Sequence, residues 1–124
     1  MPCQTKYVES GIFELTFADP ISLAEIADAV EQMDQLANDY GIEKYVTVND
    51  FASCKNIPSD ISNMKRIADG AGRLKGAVVV KAPLITQIMG RMVGRMTPMQ
   101  FVNVDTIEEG MATAKHLLSG ETVR

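Results

Sequence analysis

The stretch KGAVVVKAPLITQIMGRMVGRMTPMQFVNV, residues 75–104, places an apolar run, an amphipathic segment and a second apolar run in direct succession. Residues 77–80 are all apolar, which is typical of a strand that is covered on both faces. Between Pro83 and Pro98, apolar residues recur at helical spacing. The stretch therefore predicts a strand, a crossover helix and a strand, the unit that joins parallel strands of one sheet.

The flanking sequence extends this alternation in both directions. Residues 5–20 predict a hairpin with a turn at Gly11, and residues 43–50 predict a short strand followed by a polar loop, 50–58. Capping signals predict helices that start at Ser22, Ser59 and Thr106, the first ending at Gly41 and the last at Gly120. We therefore expect one α/β domain over residues 1–124: a single mixed sheet of about five strands flanked by four helices, in the order β-β-α-β-α-β-α-β-α.

The helix within the opening stretch has two contrasting sides. Advancing ~100° per residue assigns one side to the core: Ile85, Ile88, Met89, Met92, Val93 and Met96. The other side is flat and basic: Gln87, Gly90, Arg91, Gly94 and Arg95. Each interior glycine costs about 1 kcal/mol relative to alanine. The pair therefore indicates either close approach of another backbone or ligand, including a second copy of the chain, or surface glycines that the helix tolerates.

Charge is segregated along the chain, whose net charge is −4. Residues 20–50 contain seven acids and one lysine, whereas residues 65–95 contain seven bases and one aspartate. This pattern indicates either two solvated faces of opposite charge or steering of a charged partner. The acidic balance argues against nucleic acid as the main partner. The apolar runs are too short to cross a bilayer, and we expect a cytoplasmic protein.

Chemistry-bearing motifs are not found in the sequence. It has no P-loop, no dinucleotide-binding glycine pattern and no nucleophile elbow. The single histidine, His116, has no cysteine or carboxylate at metal-ligand spacing. Cys3 and Cys54 form no Cys-x-x-Cys pair and are expected to be reduced thiols. We therefore predict no metal, no cofactor and no enzymatic activity.

The segments GAVVVKAPLITQIMGRM and FVNVDTIEEGMATAKHLL, within residues 76–118, resemble the STAS domain, the family of the bacterial anti-sigma-factor antagonists and of sulfate-transporter tails. Gly110 stands where that family has a small residue. The chain is also similar to small stand-alone bacterial proteins between STAS and the CRAL-TRIO lipid-exchange fold. The resemblance implies a non-enzymatic regulatory module that binds a protein. The alternatives are a binder of a small apolar ligand or lipid, which the methionine content also suits, and an enzyme of unknown type.

The resemblance also implies a site. In phospho-regulated members a serine before the second helix is modified, and Ser59 takes that position here, with Asp50 at the end of the preceding strand. Pro58 and Ile61 replace the aspartate and glycine of the family pattern, and Ser59 would also serve well as an ordinary helix cap. The candidate partner surface comprises Asp50, Ser53, Lys65, Arg66, Gly90, Arg91, Gly94 and Arg95.

Overall fold

The protein is an α/β fold with one mixed five-stranded sheet. The structure is a computed structural model that describes residues 3–9, 11–19, 21–54, 66, 73–96 and 100–119. Its strands are β1 (Cys3–Glu9), β2 (Ile12–Ala18), β3 (Tyr45–Ser53), β4 (Leu74–Val80) and β5 (Gln100–Val104), and its helices are α1 (Leu23–Asp39), α2 (Leu84–Met96) and α3 (Ile107–Leu118). The predicted helix that starts at Ser59 lies outside the described residues, apart from Arg66, which is helical.

The strands lie side by side in chain order, β1-β2-β3-β4-β5. Only β1 and β2 are antiparallel; the other neighbouring pairs are parallel. The predicted hairpin is confirmed, and Gly11 adopts a φ of +83° at its turn, where glycine avoids the strain of a Cβ atom. The apolar run of residues 77–80 is an interior strand and is buried throughout, as predicted.

The two faces of the sheet have separate apolar cores. One core joins Phe13, Leu15 and Tyr45 to Met33 of α1, and Phe101 of β5 packs against it. The other joins Val46, Val48, Val78 and Val80 to Leu117 of α3. Strands β2 to β5 are parallel and follow one another in one direction across the sheet. Connections between parallel strands are right-handed, so the crossover helices α1 and α2 lie on the same face. Helix α3 covers the opposite face alone among the described helices.

The predicted boundaries of α1 are confirmed. Ser22 Oγ accepts a hydrogen bond from the Glu25 amide at 3.2 Å, and the Glu25 carboxylate accepts one from the Ser22 amide at 3.2 Å. Gly41 ends the helix with a φ of +71°. Met33 and Ala37 of α1 are buried. Tyr40 follows the helix as its C-cap and is 57% exposed.

Helix α3 begins as predicted, since Thr106 Oγ1 accepts a hydrogen bond from the Glu109 amide at 3.1 Å. The helix ends at Leu118, and Gly120 lies outside the described residues. A Cβ atom on Gly110 would be 3.0 Å from Val48 Cγ1 and 3.2 Å from Val80 Cγ2. This glycine therefore allows the helix backbone to lie directly on the valines of the sheet.

Strand β3 is longer than predicted. The polar loop was expected to begin at Asp50, but the strand continues through Ser53. The reason is Phe51, which is buried and stacks on Phe17 of β2 with ring centroids 4.7 Å apart. Cys54, the next residue, is also fully buried. The first part of the predicted loop is therefore fixed to the sheet.

Candidate functional site

The carboxyl ends of the four parallel strands β2 to β5 lie at one edge of the sheet. At this edge Asp50 is half-buried, and its Oδ1 accepts a hydrogen bond from the Ala52 amide at 2.9 Å. Ser53 ends β3 and is exposed. Beneath them, the Cys54 thiol donates to Asp19 Oδ1 at 3.3 Å and ties the end of β3 to the end of β2. Asp50 and Ser53 therefore lie at a strand end that hydrogen bonds hold in place.

Helix α2 starts at the same edge, because it follows the end of β4 after three residues. Its orientation differs from the prediction. Gly90 is buried, and a Cβ atom there would be only 2.7 Å from Phe101 Cδ1 of β5. Thr86, one turn earlier, is 7% exposed. The glycine therefore allows close approach to the protein's own sheet and does not face outward as predicted.

The outward side of α2 is apolar and basic. Leu84 is 69%, Ile88 41% and Met92 44% exposed, and both Arg91 and Arg95 are exposed. Ile88 and Met92 were expected in the core, so the helix is rotated by about a quarter turn from the predicted orientation. The other four residues of the predicted inner side have side chains outside the described part of the structure: Ile85, Met89, Val93 and Met96.

The sequence contained a signal for this exposed apolar surface. Seven of the thirteen residues of α2 are large and apolar, and two more are glycine. At ~100° per residue the seven positions span about half of the helix circumference, a wider arc than the six assigned to the core side. Once the buried glycine faces the sheet, part of this apolar arc faces outward.

The remaining candidate residues are distributed over two places. Arg91 and Arg95 lie seven and eleven residues into α2, about 10–16 Å along the helix from the edge with Asp50 and Ser53. Gly94 is half-buried. Arg66 is exposed and lies across a groove from α1. Ser59 and Lys65 lie outside the described residues.

A polar cluster lies at the opposite end of β3. Arg73 Nη2 donates to Asn38 Oδ1 at 3.0 Å, and Arg73 Nη1 is 3.6 Å from Asp34 Oδ2. These groups line a groove of about 480 Å³ along α1 that Arg66 also borders. The acidic and basic segments of the sequence therefore meet here instead of forming fully separate faces.

Tyr45 is fully buried near this cluster. Its hydroxyl has no hydrogen-bond partner among the residues that the structure describes, and neither has Asp34 Oδ1. Burial is the main reason that the pKa of Tyr45 is raised well above its ordinary value of 10.0; the negative charge of Asp34 adds to the shift and Arg73 opposes it. The neutral phenol is therefore strongly favoured in the folded protein.

We expect Tyr45→Phe to keep or raise stability by up to about 1 kcal/mol at pH 7, because it removes a buried hydroxyl that has no partner among the described residues. The unfolded tyrosine ionises near pH 10, and the folded one does so only at higher pH. The folded state therefore holds more protons, and wild-type stability falls as the pH rises above about 10. Between pH 7 and pH 10.5, the free energy of unfolding measured with urea should fall less for Tyr45→Phe than for the wild type. A loss above about 1 kcal/mol at pH 7 would reveal a partner for the hydroxyl.

Within the described ranges, no three His, Cys, Asp or Glu side chains are grouped as metal ligands. None of the described helices is long and apolar enough to cross a membrane. Comparison of the chain with protein-family models, with curated proteins and with solved structures finds no match.

Proposed function

We propose that this chain is a non-enzymatic regulatory module that binds a protein partner, in the manner of the STAS domains that it resembles. The binding surface is the outward side of α2 together with the carboxyl edge of β3. One observation carries the proposal: Leu84, Ile88 and Met92 are exposed in a row on α2. Contiguous apolar side chains on the surface of a globular domain mark interaction sites.

Two further features support a binding surface over a reaction site. The polar groups at the carboxyl edge, Asp50 and Ser53, lie on an ordered strand end and are accessible to a partner. Arg91 and Arg95 add fixed positive charge beside the apolar residues. Such charges raise the rate of association with an oppositely charged surface and select against wrong partners. In this account Ser59, as the resemblance implies, is where a phosphate would alter docking.

Affinity purification of the full chain from its source cells tests the proposal. At low salt we expect recovery of a stoichiometric protein partner, and at moderate salt we expect weaker recovery, because the Debye length falls from about 30 Å at 0.01 M to about 8 Å at 0.15 M ionic strength. Recovery of no protein at either salt concentration contradicts the proposal. Native mass spectrometry of the same preparation tests the alternative function, binding of a small apolar ligand or lipid, because such a ligand adds its mass to the chain.

A further inference from the structure

The outward side of α2 has the geometry of one half of a helix–helix contact. Leu84, Ile88 and Met92, which we call the α2 stripe, recur every fourth residue and are 69%, 41% and 44% exposed. Residues four apart lie on the same side of a helix, so the stripe is continuous and about 12 Å long. A second amphipathic helix presents apolar residues at matching intervals of three and four.

The charges beside the α2 stripe define the chemistry of its partner. Arg91 and Arg95 are both exposed, and α2 has no acidic residue in its sequence LITQIMGRMVGRM. They are four residues apart and therefore form a parallel basic row along the stripe. A guanidinium group pairs best with carboxylate or phosphate groups. The complementary surface therefore has an apolar row flanked by acids.

We propose that the α2 stripe binds an acidic amphipathic helix of a partner protein. The apolar residues of that helix pack on Leu84, Ile88 and Met92, and its carboxylates pair with Arg91 and Arg95. The inference rests on the proposed function, because it names the chemical class of the partner that this surface binds.

A second copy of the chain fits this surface less well. Two α2 helices in contact would bring four arginines together with no acid from either helix. Helix α1 of another copy offers acids at Asp28, Glu31 and Asp39, but its other exposed positions are mainly polar or small, among them Ala24, Gln32, Gln35 and Asn38. Such a surface cannot cover three large apolar side chains.

A membrane surface also fits less well. Three apolar side chains bury too little area for stable interfacial binding, which depends on buried apolar area and on attraction to anionic lipids. The chain as a whole has a net charge of −4, and this charge opposes approach to an anionic bilayer. A protein helix supplies both the short apolar row and a local group of carboxylates.

Photocrosslinking within the source cells tests the inference directly. A benzophenone-bearing amino acid replaces Ile88 in the full chain, and the matched control carries it at Gln32, which is exposed on α1. After irradiation, the crosslinked peptide is sequenced. We expect position 88, and not position 32, to capture an acidic segment with apolar residues at intervals of three and four.

Charge variants of the chain that carries the crosslinking residue at position 88 show whether the crosslink depends on pairing with Arg91 and Arg95. The double change Arg91→Glu and Arg95→Glu should lower the yield about tenfold, because attraction becomes repulsion. The matched double change to Lys keeps the positive charges and should retain most of the yield. Far-ultraviolet circular dichroism verifies that both variants are folded.

Each other outcome overturns the inference. A crosslink to α1 or α2 of a second copy means self-association, and a lipid adduct means membrane contact. A yield that charge reversal leaves unchanged means that the arginines do not select the partner. If position 88 gives no product while affinity purification still recovers a partner, the chain is a protein-binding module as proposed, but the partner does not bind to the α2 stripe. If no partner is recovered either, both fail.

Discussion

Gly110→Leu is expected to unfold the protein or to lower its free energy of unfolding by about 3 kcal/mol or more, at the upper end of overpacking effects. A Cβ atom added at this position would lie only 3.0 Å from Val48 Cγ1 and 3.2 Å from Val80 Cγ2. The rest of a leucine side chain would occupy the space of those valines, which are fully buried in the sheet. Helix α3 must then move away and expose the core on this face. Urea unfolding at pH 7 measures the loss.

Ala112→Leu is the matched control for Gly110→Leu. Ala112 is in the same helix and is exposed, so a leucine there changes surface hydrophobicity but not packing. Surface substitutions of this kind usually change stability by no more than about 0.5 kcal/mol. An unfolding midpoint for Gly110→Leu equal to that of the control would show that α3 does not lie against the sheet as described.

Phe13→Ala is expected to cost about 3–5 kcal/mol of stability, the usual range for removing a buried ring. Phe13 is fully buried between two other rings, with centroids 5.3 Å from Tyr7 and 5.3 Å from Tyr45. Its removal leaves a cavity under α1 and removes both edge-to-face contacts. Because domains of this kind have only about 5–15 kcal/mol of stability, much of the chain would unfold.

Tyr40→Ala provides the comparison for Phe13→Ala. Tyr40 also contacts Tyr7, with centroids 5.1 Å apart, but it is 57% exposed. We expect a loss of about 1 kcal/mol or less, because little apolar surface leaves the interior. Equal losses for the two variants would contradict the assignment of Phe13 to the core of the α1 face.

Local signals in the sequence determine most of the fold. The Ser22–Glu25 capping box and the left-handed Gly41 depend on contacts within a few residues, and the uninterrupted apolar composition of residues 77–80 indicates a strand covered on both faces. Such contacts can be inferred from spacing alone. The mixed five-stranded sheet follows because the predicted strands alternate with helices after the first hairpin.

The candidate site was only partly predictable, because its shape depends on contacts between distant residues. Arg91 and Arg95 were assigned to the surface from sequence and are exposed. The outward position of Ile88 and Met92 depends on Gly90 packing against Phe101, a contact that helical spacing cannot reveal. The extension of β3 to Ser53 likewise depends on Phe51 stacking on Phe17. In each case a tertiary contact selected one of several locally acceptable arrangements.

The role of the α2 stripe is tested most directly by a double variant, Ile88→Gln and Met92→Gln. The measurement is the amount of partner that this variant recovers relative to wild type. Both residues are exposed, so the variant should fold normally while losing the apolar contact. We predict that recovery falls at least about tenfold, while Gln32→Ala on α1 leaves it unchanged. Equal recovery by the folded double variant and the wild type would contradict the assignment of function to this surface.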